Sequence, residues 1–221
     1  LILIRDLTEL RDRDRQLVTK DATIREIHHR VKNNLQTVAA LLRLQSRRMS
    51  NSDAKDALKQ AMGRVSAIAV VHEILSQNFE EQVAFDEVAD RILHMVGDVA
   101  ASSGSVVARR EGSFGEVPAE TATALSLATT ELCQNAIEHS LDSSSGNVIV
   151  RSHRTDDALV VDIVSDGKPL PEGFSLDNHR SSLGLSIVTT LMQDLGGTFT
   201  LEDNSDRVGT CARLVIPLQR L

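Results

Sequence analysis

Apolar residues recur in the first quarter of the chain at intervals of three and four. At about 100° per residue, Ile24, Ile27, Val31, Leu35, Val38, Leu41 and Leu42 fall on one stripe of a helix. Neither Pro nor Gly occurs before Gly63, so nothing breaks that helix outright, and the pattern carries it to about Met49. Residues 50–53 are a polar turn with an N-cap candidate. A second helix is expected over 54–76, with Leu58, Ala61 or Met62, Val65, Ile68, His72 and Leu75 on its packed side. Two amphipathic helices joined by a short turn make a helical hairpin. One hairpin cannot cover both its faces, whereas two can form a four-helix bundle, so a homodimer is expected.

From Val83 the pattern changes to alternating helices and strands. Helices are expected over 85–96, 118–140 (Pro at its start) and 183–195, the last stopped by Gly196-Gly197. Strands are expected over 105–108, 147–153, 158–164, 198–202 and 210–216. Residues 167–182 are rich in Pro, Gly, Ser and Asn and read as a loop. This order predicts an α/β sandwich, one layer of helices on one mixed sheet, behind an α-helical hairpin. The division expected is 1–8, 9–80 and 81–221.

Composition narrows the function classes. Aromatics make up 2% of the chain, with no Trp or Tyr, so the core must be built from Leu, Val, Ile and Ala. A net charge of −7 argues against direct nucleic-acid binding, which requires a basic footprint. Cys133 and Cys211 are too few for a disulfide framework and predict reduced thiols and a cytoplasmic location. No apolar run approaches the ~20 residues of a membrane span. The chain starts at Leu1 without Met and is expected to be a piece of a longer protein.

Two adjacent histidines stand in the first helix. On the same helical arithmetic His28 lies roughly 60–70° from the stripe centre and His29 roughly 160° from it, so His29 points away from the packed face. His29-Arg30-Val31-Lys32-Asn33-Asn34-Leu35-Gln36 resembles the phosphoacceptor box of the histidine kinases of the second His-kinase-A class, relatives of the HWE kinases. The resemblance implies that His29 is phosphorylated. Arg5-Asp6-Leu7-Thr8-Glu9 resembles the D-[IL]-T-E sequence that ends a PAS sensor domain, and Leu3, Leu7, Leu10, Leu17 and Ile24 give the near-heptad seam of a signal-relay helix.

Three further boxes resemble those of GHKL ATPases and kinases. Glu131, Asn135 and His139 follow one another at i, i+4 and match an N box. The resemblance makes Asn135 the Mg²⁺ ligand, Glu131 the group that orients or polarises a reacting atom, and His139 a phosphate contact. Mg²⁺ prefers oxygen ligands and shares them with phosphates, as an amide oxygen and ATP would provide. Ser165-Asp166-Gly167-Lys168-Pro169 resembles a shortened G1 box, whose Asp accepts from the adenine amino group. Aligned from the strand side the reader is Asp166; aligned from Leu170-Pro171-Glu172-Gly173-Phe174 it is Ser165. A carboxylate accepts from an amine better than a hydroxyl, which favours Asp166, with Gly167 beside it. Residues 181–188, with Gly184 and Leu185, resemble a G2 box in which Ser182 replaces the first Gly, and Gly209-Thr210 matches the closing G-T that places Thr210 near adenine.

Together the boxes imply autophosphorylation of His29 from ATP and transfer to an aspartate of a response-regulator receiver domain, including receivers with an RNA-binding antiterminator output. Glu26, one turn before His29, is a candidate proton acceptor, Asn33 a candidate positioning group, and 167–182 a candidate lid. Two rivals stand beside this reading: an anti-sigma-type serine kinase on the same nucleotide fold, and a non-catalytic dimeric scaffold.

Overall fold

The computed structural model describes residues 8–77, 82–101, 106–141, 145–176, 183–205 and 208–218, the side chains of 8–21 and 99–101 excepted. The expected sensor-domain end, the side chains of the Leu3, Leu7, Leu10 and Leu17 seam, the division at 80/81 and Ser182 lie outside that set.

Helix α1 (Thr8–Arg48) runs unbroken for 41 residues, about 60 Å at 1.5 Å per residue. It turns at Asn51, whose side-chain oxygen accepts from the Ala54 amide at 3.2 Å and caps α2 (Ser52–Leu75). Along α1, Ile24, Val31, Leu35 and Leu42 are half-buried where the helix packs on α2. Ile27, Val38, Leu41 and Leu44 stay 43–57% exposed. The apolar stripe is wider than one neighbouring helix can cover.

Beyond the hairpin come β1 (Gln82–Ala84), α3 (Phe85–Ala101), β2 (Val106–Glu111), β3 (Glu116–Pro118), α4 (Ala119–Asn135), β4 (Gly146–Arg154), β5 (Ala158–Ser165), α5 (Leu183–Asp194), β6 (Thr198–Asp203) and β7 (Thr210–Pro217). Five strands form one sheet in the order β2-β4-β5-β7-β6, parallel at β2–β4 and antiparallel elsewhere. β1 and β3 pair separately; at three residues each they are too short for alternation to show in sequence. Leu159, Val161 and Ile163 of β5 alternate into the layer of α3, α4 and α5, while Val160, Asp162 and Val164 take the other parity.

Two features depart from the sequence pattern. The helix expected over 118–140 is α-helical only to Asn135. It then widens into a π turn, Ala136–Ser140, closed by the Leu141 amide on the Ala136 carbonyl at 2.9 Å. The hairpin, too, shares its core with the α/β unit. Val71, Ile74 and Leu75 at the end of α2 belong to the same core cluster as Val83, Phe85, Val88 and Leu125.

Candidate functional site

His29 is exposed on α1, and Asn33 one turn later places its amide nitrogen 3.2 Å from His29 Nδ1. Nε2 is thus the ring nitrogen not engaged by Asn33. His28 turns the other way. Its Nδ1 lies 2.9 Å from Nδ1 of His72 on α2, with ring centroids 5.2 Å apart. Burial lowers the His72 pKa, and the His28 charge lowers it further. The two neighbouring histidines therefore do different work, one joining the hairpin and one facing outward. Glu26 accepts from Arg30 Nε at 2.7 Å on the exposed face. That hydrogen bond and the Arg30 charge hold its carboxyl below the usual range. A carboxylate so held is a poorer proton acceptor, and the structure engages Glu26 with Arg30 rather than with the imidazole.

The second centre is a cleft of about 460 Å³ between the end of α4, the loop after β5 and the inner face of the sheet. Asn135, His139, Leu185 and Thr210 line it, joined by Lys168 and Phe174, which motif reading did not single out. His139 shares the wall with Asn135 by its i+4 spacing, and the π turn brings Ser140, five residues on, to the same wall. Gly184 stands in the first turn of α5 against Glu131 and Asn135: a Cβ there would lie 2.7 Å from Glu131 Oε2 and 3.6 Å from Asn135 Nδ2. Glycine lets that helix start sit against the Glu131 carboxylate without displacing it, and a helix N-terminus favours an anion. Gly167 serves the same end differently. Its backbone rests on the Ser140 backbone with no room for a side chain, and the Lys168 amide donates to the Ser140 carbonyl at 2.7 Å. The described part of the loop is held again where the Leu170 amide donates to Asp203 Oδ1 at 2.7 Å.

Glu131 is 3% exposed and does not line the cleft. Both its oxygens are taken by Arg64 of α2, from Nε at 2.7 Å and Nη2 at 2.9 Å. The hydrogen bond to Glu131 raises the Arg64 pKa, against burial, which lowers it. No local pattern could have announced this pair, whose members are 67 residues apart in sequence.

The expectation for Asp166 is corrected. Its Oδ1 accepts from the Asn147 amide at 2.7 Å and its Oδ2 from Asn147 Nδ2 at 2.6 Å, which fixes it at the start of β4, outside the cleft. Ser165 is the inward residue, 1% exposed, with its hydroxyl 2.7 Å from that of Ser140 and 2.9 Å from that of Thr210. The reason is strand parity: residues 159, 161 and 163 face inward, so 165 does and 166 does not.

Among the described residues no three His, Cys, Asp or Glu side chains come together as a metal site. The Asn135 amide beside the Gly184 cradle suits a Mg²⁺ ion that takes its other ligands from phosphates and water. Cys133 and Cys211 are both free, and burial pushes the Cys133 thiol up to about 12. No described helix is long and apolar enough to cross a membrane.

The chain is similar to known proteins in sequence and in fold. A family profile described as histidine kinase matches residues 26–100. A second, described as histidine kinase-, DNA gyrase B- and HSP90-like ATPase, matches 120–220. The chain is 51% identical to the sensor histidine kinase PdtaS of Mycobacterium tuberculosis over 99% of its own length and 44% of the relative's. It is 27% identical to blue-light-activated histidine kinase 2 of Erythrobacter litoralis, over 90% of this chain and 58% of that protein. The solved histidine kinase domain of the Erythrobacter litoralis blue-light-activated kinase EL346 superposes with a TM-score of 0.62 at 26% identity, covering 94% of each chain. The chain thus spans less than half the length of its curated mycobacterial relative.

Proposed function

Because the chain belongs to the sensor histidine kinases of the second His-kinase-A class, we propose that it transfers the γ-phosphoryl group of ATP to His29 and passes it on to an aspartate of a response-regulator receiver. The observation that carries this reading is one chain presenting both an exposed histidine oriented by a neighbouring amide and a cleft lined by Asn135 and His139 beside a glycine-permitted helix start. In the transfer an imidazole N–P bond forms, the bond from the γ-phosphorus to the β–γ bridging oxygen breaks, ADP leaves with that electron pair, and the ring releases a proton. With the Asn33 amide turned so that its oxygen accepts from Nδ1–H, the attacking lone pair stands on Nε2.

The cleft residues divide the remaining work. Asn135 would hold Mg²⁺ by its amide oxygen, His139 and Lys168 face the phosphates, and the α5 start meets them with backbone N–H groups. Mg²⁺ supplies charge neutralisation of the transferring group. Glu131 is assigned to the reacting centre once Arg64 lets it go. The apolar walls, with Leu185 and Phe174, take the base.

A second copy of the hairpin would cover Ile27, Val38, Leu41 and Leu44, giving the four-helix homodimer. The receiver partner, including one with an RNA-binding antiterminator output, and a cytoplasmic setting complete the proposal. The serine-kinase and scaffold readings have no observation in their favour. The test is labelling with γ-labelled ATP and Mg²⁺. Acid-labile, base-stable label is expected, lost in His29→Gln and in Asn135→Ala. Label that survives His29→Gln would overturn the assignment.

A further inference from the structure

At the cleft wall three hydroxyls form a line. Ser140 of the π turn and Thr210 of β7 line the cleft, and Ser165 of β5, buried behind it, bonds to both. Ser140 Oγ is 2.7 Å from Ser165 Oγ, which is 2.9 Å from Thr210 Oγ1; in both pairs either atom can be the donor. Ser140 Oγ also donates to the Lys168 carbonyl at 3.1 Å, and the Thr210 amide donates to Ser165 Oγ at 3.4 Å. The acidic side chain that could have fixed the polarity of this end, Asp166, is tied to Asn147 outside the cleft.

A hydroxyl has one proton and two lone pairs, so such a line can run in two directions. In the first, Thr210 donates to Ser165, Ser165 to Ser140, and Ser140 to the Lys168 carbonyl. The Thr210 oxygen then offers the cleft a lone pair, which suits the amino group at the six-position of adenine. In the second, Ser140 donates to Ser165 and Ser165 to Thr210. The Thr210 proton is then left for the cleft, which suits the carbonyl at the six-position of guanine or hypoxanthine. The second direction gives up the bond from Ser140 to Lys168. A carboxylate in the same place could only accept, and would leave a carbonyl facing it unpaired.

We propose that the base end of this cleft reads the six-position of a purine through the reversible hydroxyl line Ser140–Ser165–Thr210, and therefore takes 6-oxopurine nucleotides as well as adenine nucleotides. This rests on the nucleotide-binding role proposed for the cleft. The forfeited Ser140 bond sets the expected preference: within about tenfold in favour of adenine, the factor that ~1.4 kcal/mol supplies.

The experiment is displacement of a fluorescent ADP analogue from the 221-residue chain by ADP and by IDP, with Mg²⁺ present. IDP is chosen because it carries the six-position carbonyl without the 2-amino group of guanine. Affinities within about tenfold of each other are expected. Ser165→Asp, which replaces the line with a fixed acceptor, is expected to widen the ADP preference well beyond that of the parent. Should Ser165→Asp fail to fold, the parent titration decides alone. An ADP preference in the parent beyond tenfold overturns the hydroxyl line while leaving the nucleotide site standing. No binding of the fluorescent analogue overturns both.

Discussion

A neutral imidazole has one lone pair to offer, and the end of the Asn33 amide that meets Nδ1 decides where it stands: the nitrogen at 3.2 Å holds it on Nδ1, and the turned amide, its oxygen accepting from Nδ1–H, puts it on Nε2. Asn33→Ala removes that decision without touching the cleft. Autophosphorylation of His29 is expected to slow by on the order of tenfold, with the KM for ATP unchanged, because only an orienting contact made at the reacting ring is lost. Single-turnover labelling over a range of ATP concentrations separates the two parameters, and a raised KM with normal turnover would contradict the role. At this scale the sequence was informative where chemistry is carried by a short run. His29 and Asn135 each sit in a box whose spacing is helical; His29 is exposed and Asn135 lines the cleft. The choice between Ser165 and Asp166 was also legible, through the alternation of Leu159, Val161 and Ile163, but ranking the two by acceptor strength let chemistry override parity. Lys168 and Phe174 were not legible, because no periodic pattern governs a loop.

The elements obey the same periodicities, with misses where a local rule gives way. A π turn costs an extra residue that no propensity encodes, and its effect is to aim Ser140 at the cleft beside His139. The hairpin supports two predictions. His72 is pushed below its ordinary pKa by burial and by His28, so between that lowered value and the unfolded value near ~6.5 the unfolded chain binds more protons than the folded one. The stabilisation from neutral His72 is therefore complete above pH ~6.5 and lost as pH falls through the lowered folded value. Urea midpoints measured from neutral pH downward should decline there, and His72→Phe should flatten the decline; an unchanged slope in that variant would remove His72 as its source. The second prediction concerns the wide apolar stripe. Leu41 is 57% exposed in the single chain, so Leu41→Glu should leave the helix content intact. In a dimer the same change would bury a charge at a cost of at least ~2 kcal/mol. Sedimentation should then shift from dimer toward monomer, whereas a parent that already sediments as a monomer would dismiss the bundle.

The contacts that hold the two units together differ in character. At one end of α2, Val71, Ile74 and Leu75 are embedded in the common core, an apolar contact beside which Glu73 pairs with Arg91 of α3 at 3.2 Å. At Arg64 the contact is a buried ion pair, 18% and 3% exposed, on the carboxylate that the kinase reading assigns to the reacting centre. Arg64 and His72 are eight residues apart, so the pair lies about 12 Å along the α2 axis from the level at which His72 meets His28. In this arrangement Glu131 is both occupied and displaced from the phosphoacceptor, and the pair must open before Glu131 can act there. Arg64→Ala leaves a buried carboxylate unpaired, a penalty of about 3–5 kcal/mol on the closed arrangement that the open one escapes by hydrating Glu131. The expected outcome is faster hydrogen exchange in residues 60–66 of α2, with the Val71–Leu75 end still protected, together with a several-fold rise in the rate of His29 labelling at saturating ATP. Arg64→Lys, which keeps the charge but loses the two-pronged geometry, should fall between parent and Arg64→Ala. A rate that falls in Arg64→Ala while nucleotide still binds would reverse the assignment: the guanidinium would then be serving the phosphoryl group itself, and the closed arrangement would be the productive one.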